Sequence, residues 1–354
     1  MMAARILEFW RANSAYAHVF LGNVWVGIGA FTFYSIDEKR ENISLHQRSG
    51  KPIEVDKKTL SMSQEVVSET MKSHIAPGRT VPLLRPPYVT ISSEAESVGS
   101  IRTSLGGAVG VPYSWRYSNT DDIETVDISL CKKAGTVLAK WVKQFHKYIY
   151  GLPKSSDYSV VTVADVCCDA VKTEEDIKAI EDLKASLILS EKAKIFAFLR
   201  EIQCVNSHHQ NVVLGLGLLL LTMGGTFGYY IQILLQKNKR LKPNLLLPMV
   251  VFAHLFTYAV SLVWIRVGMD NYLRMRDARI DQSFVEKELI EGGIEYYEKL
   301  IQKNISLRTL LGSEGEKLYT ERGNVIYPNL RLPHLPLTKR RDNLVQQETE
   351  VIRI

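Results

Sequence analysis

The residues of this sequence best suited to chemistry lie at the start of its longest uncharged run. Cys204 and His208 are four residues apart, and His209 follows directly. On a helix, this spacing places the thiol and the imidazole on one face, where they could begin a metal site. A complete zinc site needs three or four protein ligands, and no further ligand pair is recognisable. We therefore expect polar residues at a membrane interface here, with no metal and no cofactor.

Other chemical motifs are also incomplete. The stretch 105–110, Leu-Gly-Gly-Ala-Val-Gly, lacks the Lys-Ser or Lys-Thr end of a phosphate-binding loop. No Ser-His-Asp or Cys-His arrangement is recognisable from local sequence. The four cysteines do not form a disulfide framework for a chain of this size, and we interpret them as free thiols. The adjacent pair Cys167 and Cys168 leaves open a vicinal redox or metal pair.

The composition bounds the class of protein. The chain has 354 residues, is 46% hydrophobic and carries a net charge of +6. Its basic residues are spread along the chain and mixed with acidic ones, whereas phosphate binding requires a clustered basic stripe. We therefore expect no nucleic-acid binding.

Long uncharged runs indicate a membrane protein. Residues 202–236 and 243–265 contain no Asp, Glu, Lys or Arg, and the basic loop 237–242 separates them. A bilayer core about 30 Å thick needs roughly 20 apolar residues per helix, which each run supplies. The two runs predict a transmembrane helical hairpin. A third uncharged run, 12–36, predicts an earlier transmembrane helix over roughly 15–34.

The hairpin divides the charged remainder into two parts that must meet on one side of the membrane. The predicted fold class is an α+β membrane protein, with one N-terminal transmembrane helix and a mixed α+β soluble domain split by the hairpin. The predicted divisions are an N-terminal segment with the first transmembrane helix (1–36), a soluble α+β part (37–205), the hairpin (206–268), a helical part packing on the soluble domain (269–326) and an extended tail (327–354).

Apolar spacing and turn residues predict the elements of the soluble parts. Ser190 is expected to cap a helix that runs directly into the hairpin. Gly292 and Gly293 are expected to interrupt a later helix, which Gly312 then ends. The predicted helices are 60–71, 134–150, 173–183 and 294–311, and the predicted strands are 88–91, 105–113, 127–131 and 158–163.

A C-terminal block closely resembles the transmembrane protein 177 family of animals. Its signature residues are Gly292, Gly293, Tyr297, Glu298, Lys299, Leu300, Gly315, Glu316, Lys317, Leu318 and Tyr319. The segments 107–112 and 189–201 also resemble that family, and the hairpin falls where the family has one. The resemblance extends over most of the chain from about residue 85 onward.

This resemblance implies a location and a role. The family is a multi-pass protein of the mitochondrial inner membrane, with its large segments thought to face the matrix. It takes part in cytochrome c oxidase biogenesis, where newly made subunit 2 is stabilised with its dedicated membrane chaperone. The chain is thus expected to be an assembly factor, not an enzyme. Its expected partners are oxidase subunit 2, that chaperone and inner-membrane lipid. Charge counting does not settle the orientation, because basic residues flank both ends of the hairpin.

The order of elements also resembles membrane-embedded zinc metalloproteases of the HtpX and Ste24 type. Those carry His-Glu-x-x-His just before a hairpin and a glutamate ligand after it. Here Arg200 and Cys204 replace the two histidines, and Glu201 alone matches the general base. The later ligand position falls near Arg279, with Asp281 following. Arginine has no acceptor for zinc, and a base without metal has no activated water to use.

We therefore expect a protease-like scaffold without catalysis. It would keep an edge strand that holds an extended client segment by β-addition. The residues of that strand are Val109, Gly110, Val111, Pro112, Tyr113 and Trp115. Three alternatives remain: the similarity reflects only helix order, the chain is an active membrane metalloprotease, or it is a carrier or channel subunit.

Overall fold

The computed structural model describes residues 55–74, 84–90, 94–101, 106–123, 174–237, 243–327 and 332–352. The predicted first transmembrane helix and the elements predicted between 127 and 163 lie outside these ranges. The helices are α1 (Lys57–His74), α2 (Glu174–Leu187), α3 (Glu191–Asn206), α4 (His209–Lys237), α5 (Pro243–Gln282), α6 (Lys287–Leu311), α7 (Ser313–Leu318) and α8 (Leu337–Ile352), and the strands are β1 (Tyr88–Thr90), β2 (Glu96–Ser100) and β3 (Gly106–Pro112). Of the described residues, 208–273 form one compact unit and the others form a second.

Two helices have the length and composition to cross a membrane. The apolar stretches are Gly215–Leu235 in α4 and Pro248–Gln282 in α5, where charges begin only at Arg266. Their large apolar side chains point outward: Phe227, Phe252 and Trp264 are 64%, 71% and 72% exposed. Such a surface is typical of helices that face lipid. The two candidate membrane helices of the predicted hairpin are thus confirmed.

The sheet corrects the prediction for the client-binding strand. Its order is β1–β3–β2, with β1 parallel and β2 antiparallel to β3. Strand β3 is therefore the central strand, and both of its backbone edges are already paired. The prediction that Val109, Gly110, Val111 and Pro112 form an edge strand is wrong, because a run buried on both faces is typical of a central strand.

The last two residues of that prediction lie outside the strand. Tyr113 and Trp115 belong to a short 3₁₀ turn, Tyr113–Arg116, that follows β3. Trp115 is buried in the core with Val109 and Val111. An extended client therefore cannot add to β3, and Trp115 stabilises the fold instead.

Helix α6 is the centre of the second unit and packs against α2, α3 and α8. The predicted interruption at Gly292 and Gly293 is wrong, because α6 runs unbroken through both. A Cβ at Gly292 would lie 2.5 Å from the carbonyl oxygen of Lys192, and one at Gly293 would lie 2.7 Å from the Phe196 ring. The glycines thus allow α3 to approach α6 closely.

Aromatic rings fill the space between these helices. Phe196 of α3 lies 4.8 Å from Phe284, 5.9 Å from Tyr297 and 6.2 Å from Tyr296, measured between ring centroids. Both tyrosines and Phe196 are buried. These contacts fix the end of α5 against α3 and α6, which positions the site described below.

The ends of α3 and α6 partly match the predictions. The Ser190 hydroxyl accepts a hydrogen bond of 3.2 Å from the Ala193 N–H, which confirms Ser190 as the N-cap. Gly312 adopts φ +54° and ends α6, as predicted. The prediction that the capped helix continues into the hairpin is wrong, because α3 ends at Asn206 and Ser207 is extended.

The predicted extended tail is wrong over most of its length. Prolines 333 and 336 lie before α8, where they limit only the start of the helix. From Leu337 to Ile352 the chain is helical, and α8 packs on α6. Among the apolar side chains of α8 that the structure describes, Leu337 and Leu344 are buried and Val345 is exposed, so the apolar pattern of this helix is weak.

Candidate functional site

Helix α3 and the charged end of α5 bring two cations, Arg200 and Arg276, together with three carboxylates; the Nη2 of Arg276 lies 3.7 Å from Asp277 Oδ1. The Nη1 of Arg200 lies 2.6 Å from Glu201 Oε1, its Nη2 lies 3.8 Å from Asp277 Oδ1, and its Nε lies 3.8 Å from Asp281 Oδ1. Asp277 and Asp281 are one helical turn apart and face α3 together. The guanidinium of Arg200 therefore has a carboxylate of α3 on one side and two of α5 on the other.

Two residues from the C-terminal segment complete this group. Arg340 donates from Nε and Nη2 to the two oxygens of Asp281, each at 2.6 Å. The Nδ1 of His334 lies 2.8 Å from Asp277 Oδ2. We call Arg200, Glu201, Asp277, Asp281, His334 and Arg340 the ion cluster.

Tyr297 of α6 contacts two members of the ion cluster. Its hydroxyl donates to Asp281 Oδ1 at 2.8 Å, and Arg340 lies over its ring at 4.7 Å from the centroid. Burial raises the pKa of Tyr297 well above its usual value, so the hydroxyl stays protonated and remains a donor. Asp281 thus accepts three hydrogen bonds from two side chains.

The carboxylates of the cluster and Arg340 are buried, whereas the side chain of His334 is 44% exposed at its edge. Asp277 and Asp281 are 0% and 1% exposed, and Glu201 and Arg340 are also buried. Carboxylates at such depth require paired cations, because an isolated buried charge costs several kcal/mol. The members therefore depend on one another, and the removal of one leaves an opposite charge uncompensated.

The predicted protease-like positions divide into two groups. Arg200 and Glu201 belong to the ion cluster, whereas Arg279 lies on the exposed face of α5. Of the region near Arg279 where the later ligand position was expected, the structure brings Asp277 and Asp281, and not Arg279, next to Arg200. Arg279 lies two residues from each of them, which places it on the opposite side of the helix at about 100° per residue.

The structure also tests the Cys204 and His208 pair. Cys204 is buried in the core, whereas His208 lies beyond the end of α3, so the two do not share a helical face. Burial, and then the nearby Glu201 carboxylate, raise the pKa of Cys204 to about 12, so its thiol is neutral at physiological pH. Among the described residues, no group of three or more His, Cys, Asp or Glu side chains could hold a metal ion.

Sequence reasoning missed Asp277, His334 and Arg340. The spacing of Asp277 and Asp281 on one face of a helix was a usable signal. No local signal pointed to Arg340, because its partner Asp281 lies 59 residues earlier in the chain.

Most of the family-signature block supports packing. Gly292, Gly293, Tyr297, Leu300, Gly315, Leu318 and Tyr319 are buried, whereas Glu298, Glu316 and Lys317 are exposed. The Nζ of Lys299 donates to the carbonyl oxygen of Ala185 at 2.8 Å and ties α6 to α2. Only Tyr297 of this block touches the ion cluster among the contacts described here.

A small cavity lies beside the strand that was predicted to bind a client. It has a volume of about 250 Å³ and is half open. Its lining residues are Val55, Asp56, Thr59, Val89, Val111, Pro112, Tyr113, Trp115 and Arg116. The cavity shares no lining residue with the ion cluster.

Comparison with known proteins identifies relatives under one name. Transmembrane protein 177 of Homo sapiens is 34% identical over 170 residues, which are 46% of this chain and 52% of the relative. The Rattus norvegicus protein of that name is 42% identical over 90 residues, or 25% of this chain and 27% of the relative. The Danio rerio protein is 25% identical over 194 residues, or 54% of this chain and 61% of the relative.

The matched region therefore spans about half the length of the human relative and less of the rat one. No protein-family profile matches the chain, and no solved structure matches it. The relatives agree with the resemblance found in the C-terminal block and with the two candidate membrane helices. The chain is thus similar to several proteins named transmembrane protein 177, in line with the family resemblance noted in its sequence.

Proposed function

We propose that this protein is a non-catalytic assembly factor of the mitochondrial inner membrane. It stabilises newly made cytochrome c oxidase subunit 2 together with the membrane chaperone of that subunit, and its soluble parts face the matrix. Similarity to these relatives and the two candidate membrane helices support the membrane part of this proposal. The oxidase part follows from what the family resemblance implies.

The observation that carries the proposal is the position of Arg200. In the metalloproteases that the element order resembles, metal ligands come from the helix before the hairpin and the helix after it. Here a permanent cation stands between those two helices, paired with Glu201, Asp277 and Asp281. A guanidinium cannot ligate a metal and repels one electrostatically.

The carboxylate of Glu201 is also unsuited to act as a general base. Its Oε1 is bound at 2.6 Å by Arg200, and the side chain is buried. A general base needs to reach the proton of a substrate or a water, and this oxygen is already occupied by a charge-assisted hydrogen bond. The geometry thus favours a structural role for a residue that matches a catalytic position in the resembled enzymes.

The test is affinity purification of the tagged full chain from mitochondria in mild detergent, with mass spectrometry and zinc analysis of one eluate. We expect oxidase subunit 2 and its chaperone to be enriched, with zinc well below one ion per chain. The control is Gly293→Leu, which leaves the hairpin sequence intact but forces a side chain into Phe196. At matched protein amounts, this variant should lose the partners.

A second variant distinguishes partner binding by an assembly factor from peptide turnover by a protease. Glu201→Gln keeps the size of the side chain and removes the carboxylate. The replacement removes a buried partner of Arg200 and is expected to lower stability, so variant and original are compared at matched amounts of folded protein. On that basis an assembly factor retains its partners, whereas a protease loses peptide turnover. Stoichiometric zinc with Glu201-dependent turnover and no oxidase partners would overturn the proposal in favour of a metalloprotease.

A further inference from the structure

The small cavity beside β3 lies where two parallel strands end. Strands β1 and β3 run in parallel, and Val89 is paired with Val111 in their register. Both valines line the cavity, and so does Pro112, the last residue of β3. In open α/β sheets, the carboxyl ends of parallel strands are common places for a ligand. We call this space the β3 cavity.

The walls of the β3 cavity are fixed by the fold itself. Trp115 is buried in the same core as Val111, and the Nζ of Lys194 donates to the Trp115 carbonyl oxygen at 2.6 Å. Helix α1 contributes Thr59 to the lining and is anchored in this core by Val66. The cavity is therefore preformed, as most sites for small ligands are.

One hydroxyl group of the lining has no partner within the fold. Thr59 is only 6% exposed, and its hydroxyl makes no hydrogen bond among the contacts of the described residues. Two other hydroxyls of α1 bond to their own helix: Ser61 donates to the Lys58 carbonyl oxygen at 2.9 Å, and Ser63 to that of Leu60 at 2.7 Å. Buried polar groups are nearly always paired, because an unpaired one is costly. Thr59 therefore indicates a ligand that brings a polar atom into the cavity.

The volume of the β3 cavity suits a single large side chain. At about 250 Å³ it is smaller than the roughly 300–1,000 Å³ of pockets that hold drug-sized ligands. Apart from Thr59, its buried lining residues are apolar: Val89, Val111, Pro112 and Trp115. A bulky apolar body that carries one polar atom fits this combination.

The charges around the β3 cavity disfavour a charged ligand. Asp56 and Arg116 are the two charged residues that line it, both are exposed, and their charges are opposite. A further charge placed against the apolar lining would lose its hydration without gaining a buried counter-charge. An uncharged group is therefore favoured over a lysine, an arginine or a carboxylate.

We propose that the β3 cavity binds the side chain of a tyrosine residue of a partner protein. The ring packs on Val89, Val111 and Trp115, and the phenol hydroxyl forms a hydrogen bond with Thr59. A phenylalanine or a leucine would fill similar space but leave the Thr59 hydroxyl unpaired. Tyrosine is also one of the residues that most often anchor protein interfaces. The inference rests on the proposed function in one respect only, that this chain binds other proteins.

The first test uses the full chain in lipid nanodiscs and two soluble probes that differ by one hydroxyl, N-acetyl-tyrosinamide and N-acetyl-phenylalaninamide. Methyl NMR signals of Val89 and Val111 report binding, and Val205, a core residue outside the lining, is the reference. We expect saturable shifts of the two lining valines, with a Kd on the order of millimolar. The tyrosine probe should bind about fivefold more tightly, because it makes one more hydrogen bond. No saturable shift, or equal affinities, would overturn the proposal.

A pair of variants tests the hydroxyl itself. Thr59→Val keeps the shape of the side chain and should reduce the difference between the two probes to less than about twofold. The matched control is Ser61→Ala, which removes an exposed hydroxyl of the same helix that is bound to Lys58. This variant should keep the full difference. A difference that survives in Thr59→Val, or that disappears in Ser61→Ala, would contradict the role given to Thr59.

The second test identifies the source of the tyrosine. Asp56→p-benzoyl-phenylalanine places a photoreactive group at an exposed position of the lining, and the protein is irradiated in mitochondria. We expect crosslinked peptides of a partner protein in which a tyrosine lies beside the crosslinked residue. Crosslinks to small molecules alone, to peptides without a nearby tyrosine, or to no molecule would overturn the proposal. Tyrosine-bearing peptides of oxidase subunit 2 would support both proposals, whereas such peptides from another protein would support the cavity and contradict only the proposed function.

Discussion

At the scale of residues, Arg200 lies at the centre of the buried charges. Its guanidinium balances Glu201 directly and faces Asp277 and Asp281 at 3.8 Å. Arg340 then supplies the direct hydrogen bonds that Asp281 needs. The two buried carboxylates of α5 therefore depend on cations from α3 and α8, and on Arg276 of α5 itself, whose Nη2 lies 3.7 Å from Asp277 Oδ1.

We predict that Arg340→Ala lowers the free energy of unfolding by about 3 kcal/mol, because it leaves a buried carboxylate with one fewer partner. Arg341→Ala, on the exposed side of the same helix, should change it by less than about 0.5 kcal/mol. Denaturant unfolding in detergent, followed by tryptophan fluorescence, measures both. Similar effects of the two replacements would mean that the Asp281 pair contributes no net stability.

Cys204 gives a prediction that depends on pH. Burial raises its pKa to about 12, so the reactive thiolate is scarce at pH 8.5 in the folded protein. We expect the Cys204 peptide to remain unmodified by iodoacetamide at that pH, and to react fully once the protein is unfolded by urea. Mass spectrometry of that peptide is the measurement, and fast native modification would contradict the burial of the thiol.

At the scale of elements, α6 packs closely on α3 because two of its residues have no side chain at the contact. Gly292 and Gly293 carry no side chain where α3 crosses, so the two backbones come into contact. Ala is a better helix former than Gly by about 1 kcal/mol, yet these positions have no room for it. The requirement for close approach therefore outweighs helix propensity here.

We predict that Gly292→Ala destabilises the protein by about 1–2 kcal/mol, since the new methyl group would press on the carbonyl of Lys192, which is backbone and cannot rotate away. The control is Gly268→Ala in α5, where nothing lies within 4 Å of the new Cβ. That replacement should be neutral or stabilising. Thermal unfolding of both variants measures these changes in stability. A Gly292→Ala variant that is more stable than the original protein would disprove the close approach of α3 and α6.

These elements show which parts of the fold can be predicted from sequence. Ser190 and Gly312 were predicted correctly, because a cap depends on residues within one turn of it. Gly292 and Gly293 were misread as a break, because the residues of α3 that they face, Lys192 and Phe196, lie about a hundred residues earlier in the sequence. Local signals cannot distinguish a glycine that ends a helix from one that lets another helix approach.

The same limit applies to β3 and to the ion cluster. The β-branched run at 109–111 predicted a strand, but only its pairing with β1 and β2 shows that it is central. Glu201 was recognised by its place before the hairpin, whereas His334 and Arg340 come from a segment that the prolines had marked as extended. Long-range partners, rather than residue types, were the missing information.

At the scale of the whole molecule, the unit that carries the two candidate membrane helices, here called the apolar unit, is inserted into the sequence of the second unit. Residues 208–273 form a unit of their own, and the residues on both sides of them form the other. If α4 and α5 each cross the membrane, the end of α4 and the start of α5 lie on one side, and the start of α4 and the end of α5 lie on the other.

We predict opposite accessibility for two single cysteines placed within that apolar unit, in a chain without its four native cysteines. Lys237→Cys replaces the last residue of α4, and Asn271→Cys lies in the charged part of α5. A membrane-impermeant maleimide applied to sealed vesicles of one orientation should label only one of them. Labelling of both from the same side would mean that the pair does not span the bilayer.

The interrupted order of the second unit has a consequence for its synthesis. Glu94 meets Lys303 at 3.5 Å, although the two are 209 residues apart in the chain. At about 5–20 residues per second, a ribosome needs roughly 10–40 s to make that length of chain. Throughout this interval the sheet and α3 lack α6, so Phe196 and Val205 have no complete core to enter. The first half of the chain therefore remains without its complete core until α6 has been made, and during this interval its unpaired apolar residues are open to a chaperone or a protease.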